Sequence, residues 1–477
     1  MPSPMIIDSF KDTICAPATS SGTGAVSIVR VSGPDALAIA DKVVRLRKGT
    51  VSGAPGYSVH YGTVYDGGEE LDQVLVLVFR APLSYTGEDS VEISCHASSY
   101  VVQRIMLLLI EAGARAAEAG EFTKRAFVNG KMDLAQSEAV ADLIASGSQA
   151  AHRIALNQLR GGYSEELQKM RSKLLEITSL MELELDFSEE DVQFADRSEL
   201  KRLTEESCVM IASMASTFRL GNAIKNGIPV AIVGAVNSGK STLLNALVGE
   251  DRAIVSDIAG TTRDTVEETV TLGSTLFRFI DTAGIREASE TVEKMGIERT
   301  FKKISQADIV LAVLDLTLPS ERIRSDANDI LARTDLSCQQ LVFVGNKADI
   351  QGVNKNVNYI SNFVLSIETK EIRPTFIEIS ALTGSGVPQL KELLEKTQVN
   401  RIDAATSVMV SNARHYQELK SAEKDLRAVC EALDTSLSTE LIAQDLRSAL
   451  AHLGAITGEF TTDEILGNIF SHFCIGK

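Results

Sequence analysis

Apolar residues recur either at every second position or with the spacing of a helix, and each pattern occupies distinct stretches of the chain. Up to about residue 130, apolar and polar positions alternate in short segments, and one helical stretch follows near residues 100–111. Alternation with a period of two predicts half-buried strands, so this part predicts an α+β domain. The segments that most clearly predict strands are residues 24–31, 57–64 and 72–79.

Helical spacing dominates in two further stretches, about residues 134–222 and 400–477. Between them, apolar runs end at glycine-rich or polar turns, which is typical of an α/β domain. We therefore expect a helical bundle built from two segments, with an α/β domain inserted into it. The predicted domains are residues 1–130 (α+β), 131–224 (helical, first part), 225–396 (α/β) and 397–477 (helical, second part).

Residues 234–241 read GAVNSGKS, the pattern of a phosphate-binding P-loop. An apolar run precedes it at 228–233 and a helical pattern follows at 242–248, which is the setting that this motif requires. Its backbone amides would cradle phosphates, while Lys240 would reach the β- and γ-phosphates and Ser241 would bind Mg²⁺. The residues expected to contact the nucleotide here are Asn237, Ser238, Gly239, Lys240, Ser241 and Thr242.

The second diagnostic motif is NKAD, formed by Asn346, Lys347, Ala348 and Asp349. The Asp349 carboxylate can accept hydrogen bonds from N1–H and the N2 amino group of guanine. Adenine has no such pair of donors, and a site built for those donors discriminates strongly against it. The two motifs together predict that the chain binds GTP, within a Ras-like P-loop domain.

Three more segments complete the pattern of a GTPase. Residues 260–264 (GTTRD) occupy the place of a first switch, where Thr262 is expected to join the Mg²⁺ shell. Asp281 and Gly284 belong to a DTAG segment, with Asp281 near Mg²⁺ and Gly284 near the γ-phosphate. Ser380 and Ala381 follow an apolar run, and their backbone is expected to contact the guanine O6 atom.

The residue after the DTAG segment is Ile285, which cannot orient the attacking water as a glutamine does. Glu287, Glu290 and Glu293 are candidates for a general base, and their spacing does not choose among them. Asn237 offers an amide oxygen to a K⁺ ion, whose charge would replace that of an arginine finger.

Composition limits the remaining functions. The 477 residues are 44% hydrophobic and 23% charged, as in a globular protein with several domains. No basic-then-apolar leader and no long apolar run is seen, and the six cysteines form no C-x-x-C pair. These features predict a cytoplasmic protein. The net charge of −17 argues against general nucleic-acid binding, so RNA contacts require local basic patches or a basic partner.

The C-terminus carries a second candidate site. Thr461 and Glu464 have the spacing of a capping box, which predicts a short final helix. Cys474, the fourth residue from the end, could be prenylated, but Gly476 and Lys477 suit that motif poorly. A nucleophilic thiol and a buried structural cysteine are equally good interpretations from the residues alone.

Several segments resemble the MnmE (TrmE) family of tRNA-modifying GTPases, over essentially the whole chain. The matching segments are residues 12–14, 85–89, 120–127, 131–139, 257–264, 456–460 and 473–477. The resemblance implies a folate-binding N-terminal domain that also forms the homodimer. It also implies GTPase domains that pair across the dimer when GTP and K⁺ bind.

The resemblance further implies a reaction. With an FAD-containing partner, MnmG (GidA), the family adds an aminomethyl-type group to C5 of the wobble uridine of certain tRNAs. A tetrahydrofolate derivative, such as 5-formyl- or methylene-tetrahydrofolate, is the one-carbon donor.

The resemblance also assigns roles to individual positions. Glu293 corresponds to the general base and Cys474 to the cysteine of the uridine chemistry. The implied folate ligands are Arg30, Glu92, Lys131 and Lys477. The implied K⁺ ligands are Asn237, Ser256, Thr261 and the backbone of Ile258.

Two features depart from the family pattern: Val236 stands where proline is usual, and residues 95–98 replace a glycine-richer stretch. Two other functions are alternatives to tRNA modification. A GTP-switched ribosome-assembly factor would need no folate site, and a lipid-anchored GTPase would carry a modified Cys474. Neither explains the N-terminal domain together with the C-terminal sequence.

Overall fold

The computed structural model describes residues 11–20, 22, 24–186, 197–249, 268–280, 304–367, 372–403, 409–435, 438–459 and 462–476. The chain forms two compact units. The first comprises residues 1–144, 156–212 and 417–477, and the second comprises residues 145–155 and 213–416. The boundaries predicted for the individual domains stay predictions.

The first unit contains a sheet that has seven strands among the described residues, in the order β3-β4-β5-β6-β2-β1-β7. Neighbouring strands are antiparallel except β1 and β7, which are parallel. The strands are β1 (Ile14–Pro17), β2 (Val26–Ser32), β3 (Val44–Leu46), β4 (Ser58–Asp66), β5 (Glu69–Phe79), β6 (Ser90–His96) and β7 (Arg115–Ala116).

Helices cover one face of this sheet. Alternate residues of the strands, such as Val31, Val76 and Ile93, are buried against helices α1 (Ala36–Val43) and α2 (Ser99–Glu111). Because successive side chains of a strand point to opposite faces, the residues between them lie on the other face. Arg30 and Glu92 lie there, which fixes the position of one candidate site.

The helical part of the first unit combines segments from both sides of the α/β domain. Helix α6 (Gly162–Asp186) packs antiparallel to α14 (Thr439–Thr457), and the ion pair Arg447–Glu182 (3.1 Å) joins the two helices. Arg171 of α6 also pairs with Glu459 (2.7 Å), just beyond the end of α14. The helices from α3 to α7 are Glu121–Val128, Leu134–Ala145, Gln149–Leu159, Gly162–Asp186 and Arg197–Ser216, of which α5 (Gln149–Leu159) lies mostly in the second unit. Helix α8 (Phe218–Asn226) belongs to the second unit. The last three, α13 to α15, are Ala413–Asp434, Thr439–Thr457 and Asp463–Ser471.

A capping box at Thr461 and Glu464 predicts a helix whose first residue is 462, and the final helix begins one residue later. It starts at Asp463, and its N-cap is Thr462, whose hydroxyl accepts a hydrogen bond from the Ile465 amide at 3.4 Å. Thr461 lies outside the described residues. The predicted helix exists, but the described cap is the neighbouring threonine, which satisfies an otherwise unpaired amide of the first turn.

The second unit contains a sheet with six strands in its described part, in the order β13-β12-β11-β8-β10-β9. All neighbours are parallel except β9 and β10. The strands are β8 (Ile228–Val233), β9 (Glu268–Leu272), β10 (Thr275–Phe279), β11 (Ile309–Asp315), β12 (Gln340–Asn346) and β13 (Thr375–Glu378). The helices are α9 (Lys240–Val248), α10 (Ser320–Leu331), α11 (Asn354–Leu365) and α12 (Val387–Asp403).

The strands β8, β11 and β12 are almost wholly buried, because apolar clusters pack on both faces of the sheet. Continuous apolar strands of this kind are typical of a parallel sheet. In such sheets, loops at the carboxyl ends of the strands form the ligand site. Across the described helices, none is both long and apolar enough to cross a membrane.

Candidate functional site

The P-loop connects the buried strand β8 to helix α9. The backbone is left-handed at Asn237 (φ 63°) and at Gly239 (φ 96°), and Gly234 has a φ of 153°. Asparagine and glycine are the residues that adopt such angles at little cost. The turn therefore leads into the N-terminus of α9, where the amide groups of the first turn and the helix dipole favour phosphate oxygens.

Two P-loop glycines have no room for a side chain. A Cβ atom on Gly234 would lie 2.3 Å from the Val313 carbonyl oxygen, and one on Gly239 would lie 2.1 Å from Asn346 Nδ2. Both distances are far below van der Waals contact. The P-loop is thus packed directly against the ends of strands β11 and β12.

Asn346 joins the three nucleotide motifs of the described chain. Its Nδ2 donates to the Ser238 carbonyl oxygen at 2.8 Å, and its Oδ1 accepts from the Ala381 amide at 2.9 Å. Asn346 is only 2% exposed, so these hydrogen bonds are shielded from water. The structure therefore brings the P-loop, the NKAD segment and Ser380–Ala381 to one place.

Lys347 of the NKAD segment is fixed by a contact that no sequence motif predicts. Lys347 Nζ lies 2.5 Å from an Asp315 carboxylate oxygen, and Asp315 also accepts from the Thr317 amide and hydroxyl. Burial opposes ionisation of Asp315, but hydrogen bonds from Lys347 and Thr317 hold the pKa of its carboxyl below the ordinary value. The sequence signal for this contact is Asp315, the acidic residue that ends the apolar run 309–315.

The remaining P-loop residues differ in exposure. Lys240 Nζ donates to the carbonyl oxygens of Gly234 (3.0 Å) and Ala235 (2.7 Å), which places the ammonium group inside the loop. Ser241 is half-buried in the first turn of α9, whereas Asn237 and Thr242 are exposed. Asp349 is also exposed, as a carboxylate that binds a base edge must be.

Several predicted site residues cannot be located. The following lie outside the described residues: Ser256, Ile258, Thr261, Thr262, Asp281, Gly284, Glu287, Glu290, Glu293 and Lys477. Their roles stay predictions.

In the N-terminal domain, Arg30 and Glu92 are directly opposite each other on β2 and β6. Arg30 Nε donates to Glu92 Oε1 at 2.9 Å, and both side chains are mostly buried. The guanidinium group also lies over two aromatic rings, 5.3 Å from the centre of Tyr85 and 5.6 Å from that of Phe122. The rings belong to segments 85–89 and 120–127, and the sequence predicted no role for either ring.

Lys131 lies against the loop of residues 82–89. Its Nζ donates to the Pro82 carbonyl oxygen at 3.0 Å, and a Cβ atom on Gly87 would lie 3.4 Å from its side chain. Tyr85 lies between these two loop residues in sequence. The loop of residues 82–89 thus has Lys131 at one side and Arg30 at the other.

The C-terminal tail lies on this N-terminal domain. The Gly120 amide donates to the Cys474 carbonyl oxygen at 3.4 Å, and Ile475 forms an antiparallel bridge with Ala119. A Cβ atom on Gly476 would lie 2.0 Å from the Pro17 carbonyl oxygen. The tail therefore follows the start of α3 and the end of β1.

Apolar packing holds the tail in place. Phe470 is 2% exposed and clusters with Phe127 and Leu134, while Phe473 packs against this cluster. Full burial of one such phenylalanine stabilises the contact by about 1.5–3 kcal/mol. No local sequence pattern indicates this contact, because the partners are far apart along the chain.

Cys474 itself is exposed. A buried structural thiol, one of the two interpretations left open above, is therefore wrong for this residue. His472 Nδ1 lies 2.9 Å from the Asn468 carbonyl oxygen, so its ring is directed to its own helix. The exposed thiol stands next to α3, the helix that carries Phe122.

Comparison with known protein families covers both parts of the chain. A model of the MnmE helical domain matches residues 134–474, and a model of the GTP-binding protein TrmE N-terminus matches residues 13–131. Together the two matches cover nearly all of the chain.

Individual relatives match over their full length. The tRNA modification GTPase MnmE of Bacteroides fragilis is 50% identical over 469 residues, which cover 98% of this chain and 100% of the relative. That of Bacteroides thetaiotaomicron is 48% identical over 473 residues, with 98% and 100% covered.

Proposed function

Because the chain belongs to the MnmE family of tRNA modification GTPases, we propose that it modifies C5 of the wobble uridine of certain tRNAs. It is a GTPase that takes part in tRNA modification, with an N-terminal, a helical and a GTPase domain. The added group is of the aminomethyl or carboxymethylaminomethyl type, and an FAD-containing MnmG (GidA) protein is the partner. The observation that carries this proposal is the docking of the Cys474 tail on the N-terminal domain that contains the Arg30–Glu92 pair.

GTP binds at the carboxyl ends of β8, β11 and β12. Asp349 accepts from the guanine edge, and Lys240 with the amides of α9 binds the phosphates. Mg²⁺ would be held by Ser241 and Thr262, and would neutralise charge on the phosphates. The exposed amide of Asn237 fits a K⁺ ion, together with Ser256, Ile258 and Thr261. Glu293 orients the attacking water.

A folate derivative would bind at the Arg30–Glu92 pair, with Lys131 and Lys477 as further ligands. The residues present fit such a group: a cation and a carboxylate suit its polar atoms, and Tyr85 and Phe122 suit a flat ring. When bound, the folate supplies the carbon atom of the new group. Arg30 and Glu92 orient the ligand, and the aromatic rings exclude water from it.

The tail brings Cys474 to the same domain. Its thiol is exposed, and the backbone bonds to Gly120 and Ala119 fix its position against α3. An exposed thiol at a fixed position is able to act on a uridine base presented from solution. This arrangement supports a role of Cys474 in the uridine chemistry.

The open face of the N-terminal sheet supports a homodimer. Val59, Tyr61 and Leu75 are 60%, 39% and 46% exposed, and Tyr61 pairs with Leu75 across β4 and β5. Leu77 continues the row, because it pairs with Val59 on one side and with Glu92 on the other. A second copy seated on this apolar row would border the Arg30–Glu92 site.

The net charge limits how the chain can hold its tRNA substrate. With a net charge of −17, the chain needs local basic patches or a basic partner to hold tRNA phosphates. A tRNA substrate also leads us to place the chain in the cytoplasm, with no role at a membrane.

Reconstitution with the FAD-containing partner, tRNA and a tetrahydrofolate donor tests the proposal. Cys474→Ser should leave GTP turnover intact but stop formation of the modified uridine. Wild-type protein that forms no modified uridine in the complete system would refute the proposed reaction. Normal modification by the variant would remove Cys474 from the chemistry.

A further inference from the structure

We propose that Glu88 and Arg125 are positioning residues of the Arg30–Glu92 site. Their buried ion pair holds Tyr85 and Phe122 against the Arg30 guanidinium group. This inference rests on the proposed binding of a folate at that site. It assigns a function to two charged residues outside that pair.

Arg125 is fully buried, which is rare for an arginine. Its Nη1 donates to the Asp12 carbonyl oxygen at 2.8 Å and to Glu88 Oε1 at 3.1 Å. Its Nη2 donates to Asp12 Oδ1 at 2.8 Å and to Glu121 Oε1 at 3.0 Å. One guanidinium group thereby joins the start of the chain, the loop 82–89 and helix α3.

Such a network adds little stability over apolar packing of the same space, although removing one of its partners is costly. Removing charges from water is costly, and apolar side chains of similar volume often serve equally well in the same space. What a charged network supplies is direction, since each hydrogen bond is satisfied in one geometry only. The value of Arg125 therefore lies in fixing the elements that it joins.

Glu88 fixes the loop to the sheet. Its Oε2 accepts from Ser32 Oγ at 2.8 Å, and the same hydroxyl lies 2.7 Å from Thr86 Oγ1. Ser32 follows Arg30 by two residues on β2, so the two side chains lie on the same face of the sheet. Glu88 thus anchors the loop immediately beside Arg30.

The anchored loop and helix each supply one ring. Tyr85 precedes Glu88 by three residues, and its hydroxyl lies 2.8 Å from Thr123 Oγ1 on α3. Phe122 precedes Arg125 by three residues on the same helix. Burial raises the pKa of the Tyr85 phenol, as expected for a ring enclosed between the loop and α3. Loss of the Glu88–Arg125 bond would free both rings from Arg30.

The test measures binding of 5-formyltetrahydrofolate to the full-length protein by isothermal titration calorimetry. Glu88→Ala should raise its Kd by about tenfold or more, the loss expected for a hydrogen bond to a charged group. Glu88→Gln should stay within about threefold of wild type, because the amide oxygen still accepts from Arg125. Ser32→Ala, which removes the other anchor without changing charge, should also weaken binding.

The matched control is Asp66→Ala. Asp66 pairs with Arg104 in the same domain, at the turn between β4 and β5, whereas the loop 82–89 follows the other end of β5. It should lower the melting temperature without changing the Kd. The Glu88 and Ser32 variants should all retain wild-type GTP turnover.

A second readout follows the ring directly. The ultraviolet titration of Tyr85, obtained as the difference from Tyr85→Phe, should move to lower pH in Glu88→Ala as the ring becomes exposed. A wild-type Kd in both Glu88→Ala and Ser32→Ala would overturn the inference. If wild-type protein itself binds no folate, the proposed folate site fails, and the positioning inference fails with it.

Discussion

The backbone amide of Gly120 lies 3.4 Å from the carbonyl oxygen of Cys474, which fixes the C-terminal tail to the N-terminal domain. The two residues are far apart along the chain, and Gly120 is the N-cap of the helix that carries Phe122 and Arg125. The exposed thiol and the Arg30–Glu92 pair therefore share one supporting helix. This juxtaposition is the structural basis of the proposed uridine chemistry.

The tail depends on Gly476, which has a φ of 96° and no room for a Cβ atom beside Pro17. Gly476→Ala should displace Cys474 and reduce uridine modification by about tenfold or more, while GTP turnover stays unchanged. Gly467→Ala is the control, because a Cβ atom there meets open space. Reconstituted modification and GTPase assays check both variants; full modification by Gly476→Ala would show that the tail position is not required.

Guanine recognition depends on the exposed carboxylate of Asp349. Asp349→Asn replaces an acceptor by an amide donor, so it should weaken GTP binding by about tenfold or more. The same amide can donate to the C2 carbonyl of xanthine, so affinity for xanthosine triphosphate should rise. Competition binding with both nucleotides measures the exchange. Unchanged preference for GTP would place the base elsewhere.

K⁺ dependence is expected to act through Asn237. GTP turnover should be about tenfold or more faster in KCl than in NaCl, because the ion supplies charge next to the phosphates. Asn237→Gly keeps the left-handed backbone and removes only the amide, so it should abolish the difference between the salts while sparing nucleotide binding. Equal wild-type rates in the two salts would contradict the K⁺ site.

The buried carboxylates around Arg125 predict a pH dependence of stability. Burial opposes ionisation of Glu121, but hydrogen bonds from Arg115, the Glu118 amide and Arg125 hold the pKa of its carboxyl below the ordinary value. A lowered pKa gives stability that is present above the ordinary value, about 4.3, and is lost as the pH falls through the folded-state pKa.

Glu121→Gln should therefore destabilise the protein most at neutral pH and progressively less below about pH 4. Urea unfolding between neutral and acidic pH measures this difference. A penalty that stays constant at every pH would mean that the Glu121 charge does not contribute.

Local patterns predicted much of the fold. Strand β8 was predicted with its observed bounds, because its apolar run ends at a P-loop glycine. Helix α9 begins two residues earlier than its apolar pattern suggested, since Lys240 and Ser241 are polar residues of the first turn. The short strand β7 has only two residues and no alternation that a sequence pattern could reveal.

The functional sites also differ in how far local sequence patterns predict them. The P-loop and the NKAD segment are contiguous motifs, so the sequence predicted them directly. The role of Asn346 as the link between them is a tertiary contact, and so is the pairing of Lys347 with Asp315. The docking of Gly476 against Pro17 depends on packing between the two ends of the chain, for which no periodicity exists.

The most direct test of the account is mass spectrometry of tRNA nucleosides from cells that lack this protein. We expect the C5-modified wobble uridine to be absent, to return with the intact chain, and to stay absent with a chain that lacks the last four residues. Unchanged nucleosides in cells without the protein would contradict the proposed reaction. They would leave a GTPase whose target is another RNA or the ribosome.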